Sequence, residues 1–330
     1  MPINSTRGAG SAKGFGFTAG GSPFVIATGG TETTDGDFKI HTFTSPGSFA
    51  VTGAGSGPTN NVDYFVVAGG GGGGNNGYPD SRAGGAAGGG GFRLSNFYGL
   101  PAPTMSPLSN PTGVPVVASS YPITVGGGGA GGLQANTSGA YSGYNGSPSI
   151  FSTITSAGGG AGGGHPLISG GPPPIPGGAV EGGSGGADIS PGRGGNTPPV
   201  SPPQGNNGGT GFGQPPATFS VGGGGGAGGV GADSSGNTGG KAGIGSFVNP
   251  EIGGAYGTTG TVPGTRYFAG GGAGAQNGAV PDGGGGTGWN AGTNVASNTG
   301  SGGGGSGNGG GGGNASNGGS GIVVIRYKYK

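Results

Sequence analysis

From residue 24 to residue 67, short runs of alternating apolar and polar positions are separated by turn residues, the pattern of antiparallel β structure. Phe24-Val25-Ile26-Ala27-Thr28 is apolar and β-branched. Asp35-Gly36 is a two-residue hairpin signal ahead of Asp37–Thr44, in which Phe38, Ile40, Thr42 and Thr44 share one face and Lys39, His41 and Phe43 the other. Ser45-Pro46-Gly47 makes the next turn, and Phe49–Thr52 and Val62–Val67 read as two further strands. The far end mirrors this. Ile322–Tyr329 is a strand in which Ile325, Tyr327 and Tyr329 alternate with Arg326, Lys328 and Lys330, as a half-buried strand does. We expect this last strand to pair with the first ones, so that the chain ends form one small β base.

Between the two ends the pattern changes. An apolar or β-branched residue repeatedly leads into a glycine run, as at Val67-Ala68-Gly69, Val125–Gly132, Ala157–Gly164, Val221–Gly229 and Phe268–Gly274. The spacing is irregular, which excludes a solenoid of fixed repeat. Ordering a residue costs about 1–2 kcal/mol of backbone entropy, most of all for glycine, and glycine has no side chain to bury in return. Backbone hydrogen bonds between closely packed chains can supply the difference. The extended threefold helix points its N–H and C=O groups sideways, and neighbours bare at Cα can approach and bond to it. Such a polyglycine II sheaf predicts outward side chains every third residue. The rows Asn308, Gly311, Asn314, Asn317, Ser320 and Gly224, Ala227, Val230, Asp233 fit that expectation. Collagen does not fit, because runs such as Gly222–Gly226 break its triplet.

The expected fold is therefore mainly β plus polyglycine II helices. Residues 1–20 form an attachment segment, 21–68 plus 321–330 the antiparallel β base, and 69–320 an inserted polyglycine II bundle with variable loops.

Composition sharpens this picture, with 102 glycines and 27 prolines in 330 residues. Eleven basic against ten acidic residues leave no charged stripe for nucleic acid or anionic lipid. No apolar run approaches the roughly 18 residues that span a bilayer, and the first residues lack the apolar core of a secretory signal. Without cysteine there is neither a disulfide framework nor a thiolate metal site. The nearest approach to a phosphate loop, Gly240-Lys241-Ala242, lacks the Ser or Thr that such a loop needs. His41 reads as a strand residue and His165 as a loop residue, and Asp35, Asp37 and Asp63 fit turns and strands better than a calcium cluster. We expect no enzyme, no catalytic residues, no metal and no cofactor. The candidate recognition residues are aromatics lying between or beside glycine runs: Tyr78, Tyr98, Tyr141, Tyr144, Tyr256 and Trp289. Aromatic faces give large contact area at small rotamer cost, and loops on a rigid scaffold commonly carry recognition.

The segments Ser11–Phe17, Phe38–Phe43, Val62–Gly71 and Gly318–Tyr327 resemble glycine-rich virion proteins of tailed bacteriophages, especially those of marine and cyanobacterial hosts. The middle is similar to tail-fibre tip adhesins, in which a polyglycine II sandwich presents host-recognition loops. The resemblance implies a tail fibre or adhesin of the virion, extracellular after assembly in the host cytoplasm. Its partners would be other virion or tail proteins and a host cell-surface glycan or protein. Three copies could form a homotrimer, with no nucleic acid bound and no membrane insertion. A purely architectural capsid-decoration or tail-scaffold protein is the alternative, followed by an ice-binding or matrix protein.

Overall fold

The computed structural model describes residues 22–75, 83–101, 104–133, 142–164, 180–188, 191–214, 218–275, 278–280, 282–288, 293, 295–307 and 313–330. Near the start lie β1 (Val25–Thr28), β2 (Thr31–Asp35), β3 (Phe38–Phe43), β4 (Gly47–Ala54) and β5 (Asn61–Val67). The middle adds β6 (Phe92–Ser95), β7 (Ser109–Asn110), β8 (Val114–Pro115), β9 (Ser120–Thr124), β10 (Ser149–Phe151) and β11 (Ile154–Ser156). Two hairpins follow, β12 (Phe212–Gln214) with β13 (Thr218–Ser220) and β14 (Ser246–Val248) with β15 (Arg266–Phe268), and β16 (Ile322–Lys328) closes the chain. The one α-helix among the described residues, α1 (Pro250–Gly253), is capped by the Asn249 side chain, which accepts from the Glu251 N–H.

The strands build two main sheets. One runs β1-β4-β9-β10-β11. The other runs β2-β3-β16-β5-β6-β7, with β8 also on β5. The last strand is antiparallel to both neighbours, with Ile325 opposite His41 on β3 and Tyr64 on β5. Asp35 pairs with Phe38, so the β2–β3 turn is Gly36-Asp37, one residue later than the sequence signal, and Gly36 takes the positive φ of +54°.

Alternation along β5 and β16 divides the core. Val62, Tyr64 and Val66 join Val323, Ile325 and Tyr327 in one cluster, with Phe49, Val51, Ile123 and Phe151 from the facing sheet. Phe65 and Val67 join Ile322 and Val324 in a second cluster, closed by Phe92, Val248, Ile252 and Phe268. A fully buried side chain of this size contributes roughly 1.5–3 kcal/mol. β16 is thus buried on both faces, where alternation suggested a half-buried strand. The difference comes from β14, β15 and α1, which cover the side carrying Arg326. The middle of the chain also supplies strands to both sheets, because the Phe, Val and Ile residues flanking its glycine runs are themselves strand formers.

The glycine runs leave the sheets as direct continuations of strands. β5 runs into 68–75, β9 into 125–133, β11 into 157–164 and β15 into 269–275, while 84–91, 142–148, 239–245 and 313–321 lead into β6, β10, β14 and β16. Residues 69–74 are buried, and their backbone bonds rotate with a period of three. The N–H groups of Gly69 and Gly72 donate to Ser147 and Tyr144, those of Gly70 and Gly73 to Gly319 and Ser316, and those of Gly71 and Gly74 to Gly88 and Gly85. In return Gly159 and Gly162 donate to the carbonyls of Gly69 and Gly72, Gly129 and Gly132 to Gly70 and Gly73, and Gly303 and Ser306 to Gly71 and Gly74. This run is therefore enclosed by six others, three antiparallel that accept from it and three parallel that donate to it.

Side-chain size decides that such packing is possible. A Cβ on Gly69, Gly70, Gly71, Gly72, Gly73 or Gly74 would overlap a backbone carbonyl of a neighbouring run. Outward positions bear side chains, and Asn314 and Asn317 are exposed three residues apart as the first row anticipates. The second row holds at Val230 and Asp233, both exposed, but not at Gly224 and Ala227. Gly226 N–H donates to Gly229 O and Gly223 N–H to Ala232 O, so the chain reverses tightly at 227–228. Ala227 is consequently a core residue beside Phe268, not an outward one.

Candidate functional site

The junction between sheets and glycine runs is held by hydroxyls. Ser149 Oγ donates to Val67 O at 2.8 Å and accepts from Gly126 N–H at 2.9 Å. Ser156 Oγ donates to Val66 O at 2.7 Å. Both serines are buried, and each links β10 or β11 of one sheet to β5 of the other. At the opposite end, Asn75 Nδ2 donates to Gly132 O and Gly313 O, Gly84 N–H to Ser306 O and Gly85 N–H to Gly163 O. Asn75, Gly132, Gly163, Ser306 and Gly313 are therefore neighbours.

Of the six candidate aromatics, Tyr78, Tyr141 and Trp289 lie outside the described residues, as does His165. The other three do not converge. Tyr98 is half-buried near the start of β5. Its hydroxyl donates to Asn61 O at 2.8 Å and its ring meets Phe38 edge-on at 5.3 Å. Tyr256 packs against the second core cluster. Tyr144 alone is open, 48% exposed, while its N–H donates to Ala130 O and its carbonyl accepts from Gly72.

The strongest electrostatic feature was not anticipated. Arg326 is only 3% exposed, with its guanidinium 3.5 Å from Asp63 Oδ2, 3.4 Å from Glu251 Oε2 and 3.5 Å from the centre of the Phe38 ring. Burial pulls its pKa below the usual arginine range, opposed by Asp63 and Glu251. Asp63 also accepts from Ser95 Oγ, Phe97 N–H and Tyr98 N–H. One carboxylate thus fixes the 95–98 turn to the last strand. In the sequence Asp63 and Arg326 are charged positions within largely apolar strands, Arg326 with Lys328 two residues on, and nothing local pairs the acid with the base. A second buried polar pair joins His41 and Tyr327.

Among the described residues no group of three or more His, Cys, Asp or Glu side chains could hold a metal ion. None of the described helices is long and apolar enough to cross a membrane.

These features define a mainly antiparallel β protein whose strands continue into mutually bonded glycine segments. A family model described as a glycine-rich domain matches residues 44–328, and the chain belongs to that family. Comparison with curated proteins gives no match.

Proposed function

We propose that this protein is a non-enzymatic virion component of a tailed bacteriophage, a tail fibre or adhesin that holds host-recognition loops on a polyglycine II scaffold. In this reading the two sheets, which include the first strands and β16, are the base, and the glycine runs within residues 69–320 are the bundle. The observation that supports it best is the period of three in the bonds of residues 69–74 to six surrounding runs. A threefold extended helix with sideways hydrogen-bonding groups accounts for that period. Rigidity is the functional gain, because a backbone lattice fixes the places where loops begin and end. Asn75 and Gly132 are neighbours at one end of the glycine runs, and the candidates Tyr78 and Tyr141 follow them closely in sequence. The resemblance of the terminal segments to phage virion proteins supplies the biological setting, with other virion proteins and a host-surface glycan or protein as partners.

The test replaces 76–82, 134–141, 165–179 and 308–312 one at a time with Gly-Ser linkers of equal length in the phage. Loss of adsorption to host cells, with particle assembly and thermal unfolding of the protein unchanged, is the expected result. Full adsorption by all four variants would overturn the adhesin reading. Antibody labelling of particles in electron micrographs separates tail from capsid, and label confined to the capsid would favour an architectural role.

A further inference from the structure

Antiparallel glycine runs in this protein bond to one another in one direction. Ala315, Gly318 and Gly321 donate to Gly132, Gly129 and Gly126, and no backbone N–H of 125–133 returns a bond to 313–321 among the described residues. Gly143 and Gly146 likewise donate to Gly162 and Gly159, and Gly208 to Arg193. At each of these three contacts an asparagine side chain supplies the return bond. Asn317 Oδ1 accepts from Gly131 N–H at 2.8 Å, Asn145 Oδ1 from Ala161 N–H at 2.9 Å, and Asn207 Oδ1 from Gly195 N–H at 2.9 Å. A backbone N–H only donates, so the amide atom facing it is the oxygen. The clasp has one form throughout. The residue after the asparagine donates to a carbonyl, and the asparagine accepts from the N–H two residues beyond that carbonyl.

All three asparagines are exposed, and all three are followed by glycine. The lattice imposes that glycine, because a Cβ at Gly146, Gly208 or Gly318 would overlap the carbonyl oxygen of Gly69, Gly186 or Gly70 on another run. The fold thereby creates a chemically labile pair. Asparagine is thermolabile, and a following glycine leaves the main-chain nitrogen unshielded and free to turn towards it. In the reaction the glycine nitrogen loses its proton and bonds to asparagine Cγ, the Cγ–Nδ2 bond breaks, and ammonia leaves. Water then opens the succinimide ring at one carbonyl to give aspartate or at the other to give isoaspartate. The clasp engages both reacting groups. The glycine N–H is donated to one residue of the neighbouring run, and the asparagine Oδ1 is held by another residue of that same run.

We infer that Asn145, Asn207 and Asn317 are latent deamidation sites that the lattice holds shut, and that they cyclise only when the two clasped runs separate. The isoaspartate product does not fit back. It routes the main chain through Cγ, one carbon longer, so the following glycine cannot regain its acceptor while the neighbouring bonds keep their repeat of three residues. Each site therefore records an opening of the lattice irreversibly.

The test uses the unaltered full-length protein, incubated in mildly alkaline buffer below its thermal midpoint and, in parallel, in concentrated urea. Peptide mapping by mass spectrometry follows the loss of each asparagine. All three should convert at least roughly tenfold more slowly in the folded protein, because conversion follows the small open fraction. After heating to the midpoint and cooling, isoaspartate at these positions should be confined to the fraction that a protease digests. Equal conversion in buffer and urea, or isoaspartate in the protease-resistant fraction, would each overturn the inference. The readout is chemical, so its failure is separate from any failure of host adsorption.

Discussion

The Tyr327 hydroxyl lies 3.0 Å from His41 Nε2, and His41 Nδ1 lies 2.6 Å from Gly29 O. The carbonyl can only accept, so Nδ1 carries the proton and Nε2 accepts from Tyr327. His41 is fully buried, and burial lowers its pKa, with Gly29 and Glu32 opposing and Lys39 adding to the effect. The folded protein therefore holds this imidazole neutral where the unfolded chain, titrating at the ordinary value of about 6.5, takes up a proton. Below that pH the unfolded state binds more protons, and stability falls as pH falls. Thermal midpoints measured from pH 8 to pH 5 should decline below about 6.5, and His41→Gln should flatten that part of the curve. An unchanged slope in the variant would contradict the assignment.

Asp63→Ala should be among the most damaging side-chain truncations. It removes the nearly buried partner of Arg326 and the acceptor for Ser95, Phe97 and Tyr98. Breaking a buried pair in this way costs about 3–5 kcal/mol. Urea denaturation measures the loss. Because the charge left behind is the main penalty, adding Arg326→Met should recover part of it.

Tyr98→Phe separates pinning from recognition at one residue. The substitution deletes the hydrogen bond to Asn61 O and keeps the ring contact with Phe38. Stability should fall by about 0.5–1.5 kcal/mol, with adsorption to host cells unaffected. Loss of adsorption at unchanged stability would make Tyr98 a contact residue.

The N-terminal strands and β16 were legible because period-2 alternation bounded by turn residues is a local signal, and Val62–Val67 and Ile322–Lys328 carry it strongly. β2 was not, since Thr31–Asp35 has no apolar member and exists as an exposed edge paired to β3. The short strands at 149–151 and 154–156 were hidden inside what reads as glycine-rich insert, and only their pairing with β9 and each other reveals them. Outward rows could be read where a run is straight, as at Asn314 and Asn317. They could not be read through the reversal after Gly226, because a tight turn of glycines has the same composition as a straight run. At the candidate site, aromatic content pointed to Tyr98 and Tyr256, yet both pack against core or strand. Partner choice over long sequence separations, such as Asp63 with Arg326, leaves no local pattern at all.

Gly72→Ala and Gly127→Ala form a matched pair in which one methyl group does opposite things. At Gly72 the new Cβ would overlap the Ala130 carbonyl. Backbone cannot yield as a flexible side chain can, so the cost should reach or exceed the upper end of the roughly 1–3 kcal/mol range for overpacking. At Gly127 the methyl enters open space, and reduced freedom of the unfolded chain should stabilise by about 0.4–1 kcal/mol. Calorimetry of the two variants decides whether packing of bare backbone, and not glycine content as such, holds the runs together.

Amide hydrogen exchange tests the same lattice without changing any residue. The N–H groups of Gly69–Gly74 are each donated to a neighbouring run inside the protein. Releasing any one of them requires separating seven runs that share bonds in every direction, so they should exchange only through opening that approaches global unfolding. Gly127 and Ala130 lie on an equally glycine-rich run, yet both residues are exposed and their N–H groups have no backbone partner among the described residues. They should exchange orders of magnitude faster than Gly72 in the same experiment. Uniformly fast exchange over 69–74 would mean that the runs are flexible connections between sheets, and the scaffold role would fall with them. Uniform protection at both places would instead mean that the N–H groups of Gly127 and Ala130 are already bonded within one chain.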